Sequence, residues 1–224
     1  MIRHRSFLCP CKMLQVRKPR FSARLRHRLS MATPCATLRE SSSPIPRRAI
    51  MKAVIINCLE SMVKEGHGLS QWEATLEVAG LPANTRYLPS QDIDDRVAMK
   101  IFAATCTTLK ISKRQAAEAF GDYWVNTFCQ KIYKPYFRGA TSARELLLKM
   151  DQIHENVTQN IAHAAPPRFG YTWKDDKTLL MQYRSTRGMI DYLIGLVQGV
   201  GRYFREDLKI RKLSESELEI VFPA

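Results

Sequence analysis

His154 is the histidine of this sequence that is best placed to bind a metal. It lies in LLLKMDQIHENVT, at the edge of a stripe of apolar residues three or four positions apart, the spacing of one helix face. The other histidines form no HxxxH, HExxH or HxH motif, which argues against zinc or non-haem iron. A single imidazole suffices where a porphyrin supplies four ligands to iron. An ordinary histidine at the rim of a core is the alternative, and this pattern alone leaves both open.

The stretch YRSTR, at residues 183–187, could bind carboxylates. If it is extended, Tyr183, Ser185 and Arg187 project from one face, because side chains alternate along a strand. Two hydroxyls and a guanidinium form a surface of hydrogen-bond donors, and arginine can hold a carboxylate with two bonds. Haem propionates are such carboxylates, so both stretches point to one ligand. The alternative for this stretch is a solvated strand face.

Helices must position His154, because helical patterns fill the chain up to the double proline Pro166-Pro167. Apolar spacing predicts a helix over 53–65, followed by a helix capped by Ser70, with Glu73 completing a capping box. Further helices are expected at 93–109, 113–121, 122–133 and from Ser142 to about residue 163. The prolines must end the last helix, since proline donates no backbone hydrogen bond and restricts the residue before it.

Strand patterns follow the prolines. FGYTW and TLLMQYRS flank a polar turn at 174–177 and predict a β-hairpin. A helix is expected at about 188–202, with extended segments at 203–212 and 217–222. A helical half followed by an antiparallel sheet with a helix predicts an α+β fold. GxGxxG, GKS/T and βαβ alternation are all missing from the sequence, which argues against a nucleotide-binding fold.

The first 50 residues differ in composition from the rest of the 224-residue chain. They hold twelve lysines and arginines against one acid, whereas the other 174 residues hold 23 basic and 20 acidic side chains. Most of the formal net charge of +14 therefore belongs to this segment. It could be a transit peptide, a basic contact arm, or an extension that is not translated because translation begins at Met51. We expect a domain over 51–224 and a disordered or untranslated extension over 1–50.

Cysteine usage and hydropathy bear on the location of the protein. Cys58, Cys106 and Cys129 lie in apolar helical patterns, where reduced cysteine packs as a small hydrophobic residue. Without a CxxC pair, the six cysteines indicate reduced thiols and a cytoplasmic protein. The sequence has no run of about 18 apolar residues, so we expect no transmembrane helix.

Several stretches together resemble the H-NOX family, the haem-nitric oxide/oxygen binding domains that include the haem region of soluble guanylate cyclase. The resemblance covers residues 51–224 and is carried by MKAVIINCLESMV, AFGDYWVNTF, LLLKMDQIHENVT, AAPPRF and YRSTR. It implies a haem b between the two halves of the domain. It also implies that His154 is the iron ligand and that Pro167 presses on the porphyrin. Tyr183, Ser185 and Arg187 match the residues that bind the propionates.

The resemblance also implies which residues line the gas-binding side of the haem. These are apolar and aromatic residues of three segments: Ile55, Leu59, Trp124, Phe128, Tyr192, Leu193 and Leu196. Tyr192 and Trp124 could donate a hydrogen bond to bound oxygen, whereas nitric oxide needs none. A tyrosine matches Tyr192 in oxygen-binding members, and some members reported to sense nitric oxide have a pair like Tyr123-Trp124. Leu59 replaces a tryptophan of some oxygen-binding members, so the choice between the gases stays open.

The expected function is to sense a diatomic gas without catalysis by this chain. Nitric oxide is the first candidate, and oxygen and carbon monoxide are further ones. Stand-alone bacterial members of the family signal in trans to a histidine kinase or a diguanylate cyclase. Gas binding would weaken the bond between iron and His154, or flatten a porphyrin bent by Pro167, and so move the long helix.

Two other functions compete with gas sensing. A haem-free interaction module could use the basic arm to contact nucleic acid or an anionic surface, with binding that depends strongly on salt. The arm has few aromatic residues and matches no folded nucleic-acid-binding motif, so no nucleic-acid partner is expected. An enzyme has the least support, because no nucleophile–base pair or pair of carboxylates is visible in the sequence.

Overall fold

The computed structural model of the protein describes residues 50–161 and 164–223. The basic extension predicted over 1–50 therefore lies outside the described residues, apart from Ile50. His163, near the predicted end of the long helix, also lies outside them.

The first half of the described chain is helical, with one small sheet. Its first elements are β1 (Ile50–Lys52), α1 (Val54–His67), α2 (Leu69–Val78), β2 (Asp92–Asp94) and α3 (Asp95–Leu109). They are followed by α4 (Lys113–Tyr123), a π-helical segment (Trp124–Phe128), α5 (Cys129–Ile132), α6 (Lys134–Arg138), α7 (Ala143–Leu148) and α8 (Met150–Thr158). β1 and β2 are antiparallel, with Ile50 opposite Asp94. Sequence analysis missed this pair, because three-residue strands are too short to show alternation.

The second half is a sheet with one helix. Its elements are β3 (Arg168–Trp173), β4 (Thr178–Arg184), α9 (Ile190–Phe204), β5 (Lys209–Ser214) and β6 (Glu217–Val221). The four strands form an antiparallel sheet in the order β3-β4-β6-β5. The predicted hairpin is β3–β4, in which Phe169 lies opposite Tyr183. Helices followed by an antiparallel sheet confirm the predicted α+β class.

Four predicted helices differ from the structure. Gly68, with φ of 90°, separates α1 from α2, so Ser70 lies inside α2 and its predicted capping role is wrong. Residues 113–132 are helical throughout rather than two separate helices, because a π turn joins α4 to α5: the N–H of Cys129 donates to the carbonyl of Trp124, five residues back.

The helix predicted from Ser142 to about residue 163 is two helices. Ser142 does cap the first, since its hydroxyl accepts a hydrogen bond from the N–H of Glu145. The N–H of Lys149 then donates to the carbonyl of Leu146, only three residues back, and this tighter turn separates α7 from α8. The predicted apolar stripe therefore belongs to two helices, and His154 lies on the second.

Buried apolar residues form two cores. The helical core contains Leu59, Phe102, Phe120 and Tyr192 among others. The sheet core contains residues of the sheet, of α7 and of α9, among them Leu193. The consecutive residues Tyr192 and Leu193 thus belong to different cores, which places α9 between the two halves.

α4 and α9 are in direct backbone contact. A Cβ atom added to Gly195 would lie 2.0 Å from the carbonyl oxygen of Ala117, and one added to Gly121 would lie 2.0 Å from the carbonyl carbon of Gly195. A Cβ atom added to Gly199 would lie 2.6 Å from the carbonyl oxygen of Gly121. Only glycine fits at these positions, so these three glycines determine how closely the two helices approach.

Candidate functional site

His154 lies on α8 with its ring half-buried. Its Nδ1 is 3.3 Å from the carbonyl oxygen of Pro167, a contact in which Nδ1–H donates, and its ring centroid is 5.3 Å from that of Phe169. Among the described residues, no group is hydrogen-bonded to Nε2. Burial lowers the pKa of His154, which favours the neutral imidazole. A neutral ring whose Nδ1 is held by a carbonyl and whose Nε2 is open is the usual form of a histidine metal ligand.

The described residues do not supply a complete metal site around this histidine. Within residues 50–161 and 164–223, no three His, Cys, Asp or Glu side chains are grouped closely enough to hold a metal ion. A metal bound to His154 would therefore need its remaining ligands from a cofactor, as the iron of a haem does.

Pro167 connects the histidine to the sheet. It is half-buried and directly precedes β3, and its carbonyl is the group that contacts His154. α8 ends at Thr158, well before the double proline, so the expectation that the prolines end this helix was wrong. Instead, the carbonyl of Pro167 is a backbone acceptor that orients the histidine ring.

The three residues of the YxSxR pattern do not lie along one strand. Tyr183 is buried in β4 and packs against Phe169, with ring centroids 6.2 Å apart. β4 ends at Arg184, and the chain then turns, so that the hydroxyl of Ser185 accepts a hydrogen bond from the N–H of Arg187 at 3.3 Å. The expectation of an extended YRSTR was therefore wrong after Arg184. Serine after a strand tends to form such local bonds, which favour a turn over continued pairing.

Arg187 connects three segments of the domain. Its Nε donates to Asp95 Oδ2 at 2.8 Å, its Nη1 to the carbonyl of Ala165 at 2.7 Å, and its Nη2 to the carbonyl of Ile50 at 2.6 Å. Both partners of the ion pair are mostly buried, with side-chain exposures of 11% for Arg187 and 13% for Asp95. A guanidinium has five N–H donors, so one N–H on each Nη atom stays available for a carboxylate ligand.

Asp95 is a residue of this site that sequence analysis missed. Its Oδ2 accepts from Arg187, while its Oδ1 is buried without a hydrogen-bond partner. Asp95 begins α3 within the stretch DIDD. A carboxylate at the start of a helix is ordinarily explained by its favourable interaction with the helix dipole. A contact between residues 92 positions apart has no signal in a single sequence.

The predicted distal residues are divided between the two cores. Ile55, Leu59, Phe128 and Tyr192 belong to or pack on the helical core, whereas Leu193 and Leu196 belong to or pack on the sheet core. Trp124 packs against both cores. The structure thus divides these residues between the two cores, with Trp124 at the boundary where the cores adjoin.

An aromatic row runs along this boundary. Phe120, Trp124 and Phe128 stack in succession, with ring centroids 5.8 and 5.6 Å apart. Tyr192 meets Phe120 and Phe102 edge to face at 5.8 and 4.7 Å. The residues of the row are four apart, and the π-helical segment keeps Trp124 and Phe128 in the same row.

Tyr192 has an apolar environment. Only 4% of the residue is exposed, and its hydroxyl has no hydrogen-bond partner among the described residues. Burial raises the pKa of this phenol, so it stays protonated and able to donate. Leu59, on the same core, cannot accept or donate a hydrogen bond. Tyr192 is therefore a donor that is not already engaged.

Two surface clefts lie elsewhere on the domain. One, of about 400 Å³, is lined by β1–β2 residues with Leu81, Tyr87 and Val97, and the other, of about 200 Å³, lies at the start of α3. Neither includes His154 or any predicted distal residue. We therefore identify the candidate site by its chemistry: one open imidazole, one partly free guanidinium and an apolar aromatic boundary.

Comparisons with known proteins are consistent with this chemistry. The sequence profile of the Haem-NO-binding family matches residues 52–212. A Cs H-NOX mutant with 4-cyano-L-phenylalanine at site 5 is 24% identical, with a TM-score of 0.70 over 78% of this chain and 97% of that one. An oxygen-binding H-NOX domain related to soluble guanylate cyclases, solved as its oxygen complex, is 23% identical, with a TM-score of 0.67 over 78% and 96%.

A third solved structure, a mutant of T. Tengcongensis H-NOX, is 23% identical, with a TM-score of 0.66 over 78% of this chain and 98% of that one. No curated protein sequence matches the chain. In the described part of the chain, no helix is both long enough and apolar enough to cross a membrane.

Proposed function

The chain belongs to the Haem-NO-binding (H-NOX) family, and we propose that it binds haem b through His154 and senses nitric oxide. Membership of this family points to haem-based gas sensing in general. The choice of gas, the ligand residues and the signalling partner are part of our proposal.

The geometry of His154 is the observation that carries the proposal. Nδ1 faces the carbonyl of Pro167, which leaves Nε2 as the nitrogen that can coordinate iron. The described residues contain no cluster of three metal-ligating side chains, which supports a porphyrin as the source of the other ligands. When bound, ferrous haem supplies the iron atom to which a diatomic gas binds.

Arg187 is the proposed partner of the propionates. Asp95 and two backbone carbonyls hold its guanidinium, and two N–H donors stay free for a carboxylate. The half-buried hydroxyl of Ser185 lies within the same turn. The buried Tyr183, two residues before Ser185, contacts Phe169, which in turn contacts His154. Ring contacts therefore link Tyr183 of the proposed propionate site to the proposed iron ligand.

The apolar boundary between the cores supports nitric oxide as the gas. Its predicted lining has only two side chains that can donate a hydrogen bond, Trp124 and Tyr192. Nitric oxide binds ferrous iron without such a donor, whereas oxygen is stabilised by one. Oxygen and carbon monoxide are further candidate ligands, and Tyr192 is the residue on which oxygen binding would depend.

We also propose that the gas signal passes in trans to a partner, a histidine kinase or a diguanylate cyclase. α8 is the element whose movement such a partner could detect, because none of its nine residues is fully buried. A cytoplasmic location is part of the proposal, and the free thiols of Cys58, Cys106 and Cys129 support it.

Spectroscopy of the purified full-length protein tests this function. We expect one haem per chain and a Soret band that shifts when nitric oxide is added to the ferrous protein. A protein that takes up no haem, even when haem is supplied during expression, would contradict the proposal. The haem-free interaction module would then be the better explanation.

A further inference from the structure

Asp151 lies on α8 three residues before His154, about one helical turn away on the same side of the helix. Its two carboxylate oxygens accept two parallel hydrogen bonds from Arg168: Oδ1 from Nε at 2.8 Å and Oδ2 from Nη2 at 2.6 Å. Oδ1 also accepts from the backbone N–H of Phe169 at 2.8 Å. One side chain of α8 thus binds both the guanidinium and the backbone of the chain at the start of β3.

Three consecutive residues, beginning with the second proline, contact α8. The carbonyl of Pro167 faces His154 Nδ1, Arg168 pairs with Asp151, and Phe169 bonds to Asp151 and packs its ring against His154. Arg168 Nη2 is also 3.8 Å from a carboxylate oxygen of Glu155, the residue after His154. The contacts that orient the His154 ring therefore share one short segment with the contacts of Asp151.

Most surface ion pairs contribute little, and this one is partly exposed, with side-chain exposures of 25% for Asp151 and 47% for Arg168. Two features distinguish it. A two-bond pair of arginine and carboxylate fixes a direction as well as a distance. In addition, α8 has no fully buried residue that could fix its position by packing alone.

We propose that Asp151 and Arg168 are positioning residues that hold the Pro167 carbonyl against His154 and so set the orientation of its imidazole ring. This inference rests on the proposed function only in that it takes His154 to be the haem ligand. The pair acts on the ligand through Pro167 and Phe169 and touches neither haem nor gas itself. The contact between the Pro167 carbonyl and His154 is thus itself held in place by the ion pair of Asp151 and Arg168.

The test compares Arg168→Gln with Arg202→Gln. The control also removes one arginine from a partly exposed ion pair, that of Arg202 with Asp122, which has a single contact of 2.6 Å and exposures of 49% and 48%. We expect Arg168→Gln to speed haem dissociation about tenfold or more, the usual scale for loss of a group that orients a metal ligand. It should also shift the iron–histidine stretching band in resonance Raman spectra. Arg202→Gln should change neither.

Arg168→Lys should give an intermediate effect, because lysine keeps the charge and loses the two-bond geometry. If Arg168→Gln and Arg202→Gln change haem loss and the stretching band equally, Arg168 has only a structural role and the proposal fails.

A haem-free measurement separates this inference from the proposed function. In the full-length protein without haem, NMR should show altered ring resonances of His154 and faster amide exchange at Phe169 in Arg168→Gln, with no such changes in Arg202→Gln. If the wild type never binds haem, the proposed function fails while this measurement still decides whether the pair orients His154. Unchanged ring resonances in Arg168→Gln would overturn the inference.

Discussion

The helices α8 and α9 are proposed to flank one haem, yet they are attached to the domain by different forces. α9 meets α4 backbone to backbone, with Gly195 against the carbonyl of Ala117. α8 has no fully buried residue: Met150 and Ile153 pack half-buried on the sheet core, and polar contacts join the helix to residues 167–169. Packing contacts are lost with small displacements, whereas a polar contact can be exchanged for one with water at modest net cost.

This difference suggests a division of roles. The α4–α9 contact makes the gas side of the proposed pocket rigid, because the two backbones are packed directly against each other. The histidine side can move more easily. A conformational signal should therefore leave through α8, and substitutions on the two sides should have effects of different kinds.

The largest expected effect is the loss of haem binding in His154→Gly. The variant should fold, because the residue is only half-buried on a helix that has no fully buried residue, and a helical glycine costs about 1 kcal/mol. It should take up haem only when imidazole is supplied to replace the missing ligand. Absorption spectra with and without imidazole measure this. An unchanged Soret spectrum would show that His154 is not the ligand.

Gly195→Ala should lower the stability of the domain at the α4–α9 contact, without removing a haem ligand. Its Cβ would lie 2.0 Å from a backbone oxygen that cannot rotate away, and we expect a loss of about 3 kcal/mol in the free energy of unfolding. Chemical denaturation measures this value. The matched control is Gly66→Ala in α1, where an added Cβ atom meets nothing within 4 Å. This substitution should stabilise the helix by about 0.5–1 kcal/mol. Equal stabilities of the two variants would refute the close contact.

Arg187→Ala should affect both halves, because the side chain connects them. It leaves the mostly buried carboxylate of Asp95 without its cation, and we expect a loss of about 2 kcal/mol in the free energy of unfolding, below the usual cost for a fully buried pair. Haem retention should fall as well. The exposed Arg184 is the control, and Arg184→Ala should change stability by less than about 0.5 kcal/mol.

Adding Asp95→Asn to Arg187→Ala should restore part of the stability without restoring haem retention, which separates the two roles of Arg187. Equal haem loss from Arg184→Ala and Arg187→Ala would argue against Arg187 as a propionate ligand.

The smallest effect is expected from Tyr192→Phe, which removes one hydroxyl and keeps the ring. A hydrogen bond to partly charged bound oxygen contributes about 1.5–3 kcal/mol, so oxygen should dissociate roughly ten- to a hundredfold faster, with little change for nitric oxide. Stopped-flow kinetics measures both rates. Trp124→Phe is the control that removes the other donor, and faster oxygen loss in that variant alone would identify Trp124 instead. A wild type that forms no oxygen complex in air would identify nitric oxide as the ligand.

Local patterns predicted most of the fold. The β3–β4 hairpin and the helices α1, α3 and α9 follow from the spacing of apolar residues and from the turn between the strands. Two of the errors occurred where one hydrogen bond changes register. The N–H of Lys149 bonds three residues back and divides a predicted helix, and that of Cys129 bonds five residues back and joins two. Neither change alters the apolar pattern, so periodicity cannot detect it.

The sequence by itself determined the α+β order of elements, the family, and the residue types for the predicted ligands, because these depend on local spacing and on short motifs. Only the tertiary structure decided which groups hold those residues. Asp95 is 92 positions from Arg187, and Asp151 reaches Arg168 across the double proline. The backbone contact between α4 and α9 likewise depends on the path of the whole chain. Such partners are chosen by distance in space, which a single sequence does not record.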